Sequence, residues 1–492
     1  MTVGAAILIA AVSSRWFALL NWHDSQRLLQ CGLLSLVAIA AILQSGLRQR
    51  LLAQATRIGA VPMLCCAGAI ALGVASAAGS GLARFGLLEV ALALLLLLFA
   101  FCAMSAHTCA PERFSDAAIG AITAAAAVLI VLFLSSYSAA LFADAGFEAA
   151  NLYRGGFSNP RFLAQVHTLA LPVLGIACVW PAFALRWRVL CYFVLVLTWV
   201  MAWLTASRAT WYALAAACLV LLLLGAPLAR RLIAIQLGAI AASIGAFYAM
   251  FWLIPKWLLG QDFLRLFGAS LERLGDPMSL SLRDELWTRA LELIQAHPLL
   301  GVGPMGLALD FNPVAAHPHS APLQIAAEWG LPALVLMAVA VSITAVRCAV
   351  ALRAPLEASA TDNRTLLPVA LACSMIGAAV HSLVDGVIVM PVTQTLLAMM
   401  AGWTVGVLLP PSAGQAIRPR YSALCITVIA AALFSLLRGI APEAGRIDER
   451  QFDFARAHPG QAPTVTRFWT QGRLIDEVDP AHARFSARRP AQ

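Results

Sequence analysis

The sequence predicts an all-α polytopic integral membrane protein with about 12–13 transmembrane helices and a helical outer loop. Three observations predict it. Mean hydropathy is +0.83, with 61% apolar and only 12% charged residues over 492 positions, whereas soluble domains carry about a quarter charged. Apolar runs of roughly 20 residues, the length that crosses a bilayer core, recur along the chain. The cations gather in the short segments between those runs.

Spans are expected near 3–20, 28–46, 58–77, 85–106, 116–142, 162–184, 187–204, 209–226, 230–254, 321–346, 366–388, 391–409 and 421–440. Residues 1–20 are broken by Ser13, Ser14 and Arg15 and read as a retained first span rather than a cleaved leader. The organisation is therefore 1–254 as nine helices, 255–320 as a large loop, 321–440 as four helices and 441–492 as a polar tail.

Net charge is +9, and Lys256 is the only lysine, so the cation is almost all arginine. With the N-terminus inside, the inner loops hold thirteen arginines against five in the short outer loops (Arg27, Arg84, Arg154, Arg161 and Arg208). That bias puts 255–320 and the tail outside, and it argues for membrane topology over nucleic-acid binding. Eleven cysteines show no CxxC and no Cys/His ligand spacing. Neither a disulfide framework nor a zinc site is indicated. No carboxylate cluster marks a divalent metal site in an outer loop, so no metal or other cofactor is expected.

The outer loop is not disordered in character. "SLSLRDELWTRALELIQAHP" has Leu282, Leu286, Leu293 and Ile294 at helical spacing, with Ser281 and Asp284 in capping-box positions. Arg283 and Trp287 share its other face one turn apart.

Candidate chemistry lies where helices start on the outer side. Asn159 and Pro160 open one helix ahead of Arg161, Ser207 opens another ahead of Arg208, and Ser320 opens a third just after His319. Such ends favour anions through free N–H groups and the macrodipole. A histidine there should be held neutral and able to take a proton, while His317 fits a structural role better. His381 and Asp385 stand at i and i+4 and are expected on one helical face near the outer end of their span.

"HPLLGVGPMG" followed by "HPHSAPLQIAAEWGLPALVL" resembles the signature of the O-antigen ligase and polymerase superfamily, with His319-Ser320, nine residues, then Gly330. "GGFSNPRFLAQ", "LTASRATWYAL" and "HSLVD" resemble three further family segments, so the likeness runs over about 155–390. The small-residue sequence that follows in some members is replaced here by "LPAL". The resemblance implies a GT-C-like glycosyltransferase in the bacterial inner membrane, working on its periplasmic face. Its donor would be an undecaprenyl-diphosphate-linked glycan and its acceptor a hydroxyl of lipid A–core, within membrane lipids and as a monomer or weak homo-oligomer. It assigns His319 as base or acceptor-positioning group, and Arg208 and Arg283 as a diphosphate clamp. Arg161 and Arg289 would assist, with His317, His381, Asp385 and Ser320 in support. Relatives transfer instead to a protein hydroxyl or a growing glycan, and a transporter without chemistry is the remaining alternative. A tail of about fifty residues favours the ligase among these, because the protein transferases carry a sizeable outer C-terminal domain.

Overall fold

The computed structural model describes residues 21–142, 156–226, 228–264, 283–309, 315–353, 363–410, 419–457 and 465–474. The expected span 3–20, Arg154 and Ser281 lie outside them. In chain order the helices are α1 Trp22–Leu43, α2 Ser45–Ile58, α3 Ala60–Gly79, α4 Ala83–Cys109 and α5 Pro111–Phe142. Next come α6 Pro160–Ala177, α7 Leu185–Thr205, α8 Arg208–Leu223, α9 Ala229–Tyr248 and α10 Ile254–Leu259. The last are α11 Arg283–Ala296, α12 Ala321–Trp329, α13 Leu331–Arg353, α14 Leu367–His381, α15 Pro391–Leu408, α16 Pro419–Ala444 and α17 Ile447–Ala457. A π-helical turn, Ala249–Leu253, joins α9 to α10 as one run.

The chain is all-α among the described residues, where the only ladder pairing is an isolated bridge between Val465 and Gln471. Ten helices there are long and apolar enough to cross a membrane. Two further expected spans are helical but less suited to it. α8 has only 16 residues, and α6 carries the buried polar side chains Gln165, His167 and Thr168. The helix expected over 321–346 is broken in two at Gly330, which has φ 89°. A Cβ there would stand 2.1 Å from the Leu299 carbonyl oxygen, so only glycine fits this close approach.

The chain divides into two compact units. Unit 1 comprises Met1–Arg15, Ala106–Ser279 and Ala349–His381. Within it α14 packs against α6 and α8. The Ser374 hydroxyl donates to the Leu169 carbonyl at 2.7 Å, and the Trp180 indole donates to Asp116 at 2.7 Å.

Unit 2 comprises Trp16–Ser105, Leu280–Cys348 and Ser382–Gln492. Its core joins Leu34, Leu88, Leu95 and Leu436 with Phe468, Trp469 and Leu474 of the tail. The tail segment 465–474 is thus interior, which its polar composition did not suggest. Its backbone is fixed from several sides. Thr470 N–H donates to Asp24 at 2.7 Å, and Leu474 N–H donates to the Ala308 carbonyl at 3.0 Å. The Arg27 Nε donates to the Phe468 carbonyl at 3.0 Å. Arg27, counted above among the topogenic loop arginines, is instead fully buried in α1.

Candidate active site

The histidine stretch is built by backbone economy. Ser320 is the N-cap of α12, but its side chain makes no capping bond. The first free N–H, on Ala321, is satisfied at 2.8 Å by the Ser382 carbonyl instead. At the other end of α12, Val302 N–H and Gly303 N–H donate to the carbonyls of Ala327 and Glu328 at 2.8 and 3.0 Å. The "GVGPMG" turn therefore caps a helix end that would otherwise carry orphan acceptors. The two sequence segments that carry the family resemblance lock onto one another.

His319 sits just before that cap with φ 52°, a left-handed conformation costing a non-glycine residue about 1–3 kcal/mol. Three contacts hold it there. Its N–H donates to His317 Nδ1 at 3.3 Å. Its Nδ1 lies 3.2 Å from Asp385 Oδ1. The indole of Trp287 donates to the Pro318 carbonyl at 3.0 Å, pinning the residue between the two histidines. The rings of His317 and His319 meet edge to face with centroids 4.2 Å apart. The His319 side chain is 12% exposed and that of Asp385 2%, so the pair is largely withdrawn from solvent.

His317 is buried, and that burial, with the nearby His319, Arg467 and Arg283, holds its pKa well below the ordinary histidine value. Its Nδ1 already accepts from a backbone N–H, so it is a neutral brace. Gly386 makes room for it, since a Cβ at 386 would meet the His317 ring at 2.6 Å.

The expectation that His381 and Asp385 share a helical face is corrected. α14 ends at His381, and the chain turns before Pro391 opens α15. Asp385 accepts from its neighbour Gly386 N–H at 2.7 Å, a local bond that competes with helix. The two residues have different partners: Asp385 pairs with His319, and His381 Nδ1 pairs with Thr168 at 2.7 Å inside unit 1. His381 is buried within unit 1.

Arg283 and Trp287 lie one turn apart on α11, as expected, and Arg283 is close enough for its charge to reach His317. Arg289 is on another face. It pairs with Glu292 at 2.8 Å with both side chains partly exposed. In unit 1, Asn159 caps α6 by accepting from Arg161 N–H at 2.9 Å, with Pro160 at the first position. Arg208 opens α8 straight after a two-residue turn, whose Ala206 is left-handed at φ 46°. Ser207 is the N-cap there without a side-chain bond.

One residue escaped the sequence reading. Arg467, from the tail, is buried and bonds Glu89 at 2.8 Å and Glu328 at 2.5 Å. An aromatic pair, Phe468-Trp469, next to an arginine in an otherwise polar tail was the available signal. Among the described residues no three His, Cys, Asp or Glu side chains gather as a metal site.

These features define a class: a multi-spanning, all-α membrane protein with a histidine–carboxylate pair at the start of a short helix. Residues 193–338 match the family model described as O-antigen ligase. The match supports membership of the O-antigen ligase and polymerase superfamily. It takes in Arg208, Arg283, Arg289, His317, His319 and Ser320, while Arg161, His381, Asp385 and Arg467 fall outside it. No curated protein matches the chain.

Proposed function

We propose that this protein is an O-antigen ligase. It would take glycan from undecaprenyl diphosphate and join it to a sugar hydroxyl of lipid A–core, on the periplasmic face of a bacterial inner membrane. The observation that carries the reading is the 3.2 Å pairing of His319 Nδ1 with Asp385, at the start of α12 within the matched stretch.

With Nδ1–H given to the carboxylate, Nε2 keeps a lone pair and can accept a proton. The acceptor hydroxyl would lose its proton to Nε2 as its oxygen attacks the anomeric carbon. The bond from that carbon to the diphosphate breaks in the same step, with inversion, and the diphosphate leaves with the electron pair. Asp385 stabilises the imidazolium so formed. Diphosphate is already a good leaving group, so what remains is to place it and absorb its charge. Arginine suits this because its planar fork bonds phosphate oxygens in pairs. Arg283, in the same unit as His319, is proposed for it, and the family resemblance gives Arg208 and Arg161 the same role. In this reading the arginines do what a metal would otherwise do.

The test is reconstitution in proteoliposomes with purified undecaprenyl-diphosphate glycan and rough lipopolysaccharide, with no nucleotide or metal added. The expected product is lipopolysaccharide carrying the glycan with inverted anomeric configuration, abolished in His319→Asn. Glycan lengthened on its carrier would replace this reading with a polymerase, and transfer to an added pilin with a protein transferase. No covalent product with any acceptor would leave a transporter.

A further inference from the structure

We propose that Arg467, delivered by the tail segment 465–474, is a positioning residue that fixes α12 and so the His317–His319 pair at its start. The inference rests on His319 being the reactive group.

Arg467 is only 2% exposed, and a buried guanidinium must be fully paired to be tolerated. Its partners lie on two helices of unit 2. From α4 it takes both carboxylate oxygens of Glu89, each at 2.8 Å. From α12 it takes Glu328 at 2.5 Å. The Gln324 amide, turned with its oxygen toward the guanidinium, lies 2.8 and 2.9 Å from its two terminal nitrogens. Ser320, Gln324 and Glu328 recur every four residues, so the face of α12 that Arg467 grips is the face that begins at the cap beside His319. α12 has nine residues, too few to hold its own geometry without tertiary contacts. Glu328 also accepts from Leu307 N–H at 3.1 Å, which ties the same carboxylate to the loop preceding the histidines.

The segment that brings Arg467 is held independently of that grip. His23 contacts the Phe468 carbonyl at 3.0 Å, Asp24 accepts from Thr470, and Arg27 bonds the same stretch through Nε. The start of α1 therefore anchors the tail, and the tail anchors α12. A rotation or slide of α12 would carry Pro318, His319 and the Ala321–Ser382 bond with it, and would open the His319–Asp385 distance.

Arg467→Gln alone leaves two carboxylates facing one another in a buried space, and unfolding is its expected fate. The deciding variant is Arg467→Gln with Glu328→Gln, which removes one charge of each sign. The expected result is a protein with wild-type gel filtration and melting behaviour, wild-type KM for the lipid-linked donor, and kcat lower by about 10²-fold, the cost of an ångström-scale misplacement. Carbethoxylation of the His319 ring, read by mass spectrometry, should rise in the same protein because the pair with Asp385 is loosened. Wild-type kcat in the double variant overturns the proposal, and so does its failure to fold, which would make Arg467 structural only. If the wild-type protein transfers no glycan at all, the functional reading fails. The labelling still decides the positioning claim, because unchanged His319 reactivity in the double variant overturns it.

Discussion

His319 Nδ1 and Asp385 Oδ1 stand 3.2 Å apart across 66 residues of chain, joined by a turn that ends one helix and a strained residue that begins another. If the pair is a base and its orienting partner, His319→Asn should remove transfer by about 10²–10⁴-fold. Asparagine is the better substitution than alanine, since it tolerates the left-handed backbone. Asp385→Asn should lose about 10²-fold through misplacement. Both should retain the wild-type melting temperature in detergent, and wild-type kcat in either would refute the assignment.

His317 and Gly386 should behave as one site. Gly386→Ala forces a methyl into the His317 ring, an overpacking of about 1–3 kcal/mol. It should lower both melting temperature and kcat, and in a His317→Ala background the methyl should cost far less. Additive losses would show that the contact is not shared.

Acid should weaken unit 2 through His317. Its folded pKa lies below the unfolded value of 6.5, so below about that pH the unfolded chain binds the extra proton. The stability associated with its neutral form is therefore present above pH 6.5 and declines as pH falls below it. Thermal melts from pH 8 to pH 5 should show a smaller fall for His317→Gln than for wild type. Parallel curves would remove His317 as the cause.

The arginines should separate by geometry. Arg289→Ala loses a partly exposed pair with Glu292, which is worth about 0–1 kcal/mol, and its transfer rate should be near wild type. Arg208→Lys and Arg283→Lys keep the charge but lose the fork, and transfer should fall in both. Activity retained in both lysine variants would mean that a positive field suffices. Addition of chelator should change nothing, and strong inhibition would overturn the proposed metal-free step.

The loop and the tail should lie on one side of the membrane, because Leu474 bonds Ala308 and Arg467 bonds Glu328 within unit 2. Cysteines introduced at Glu292 and Glu449, in a background with the exposed Cys109 replaced, should label from the same face of sealed vesicles. Labelling from opposite faces would contradict the fold.

The sequence by itself determined the class, the positions of the helices and the residues worth watching. Hydropathy and helix starts are local properties, which is why Asn159 and Pro160 could be read where they stand, whereas the break at Gly330 depends on the close approach of Leu299. The histidine stretch and Arg283–Trp287 were legible for the same reason. What only the tertiary structure decided was partnership. Periodicity extended α14 past His381 and paired it with Asp385, yet a local bond to Gly386 and the approach to Pro391 favoured a turn that sends Asp385 to His319. Arg27 was counted as a loop charge and Arg467 as tail, because composition cannot register that a polar segment is drawn inside by buried carboxylates. A buried charge is tolerated only beside its counter-charge. Glu89 and Glu328 are 378 and 139 residues away along the chain from Arg467, so only folding brings that counter-charge into place.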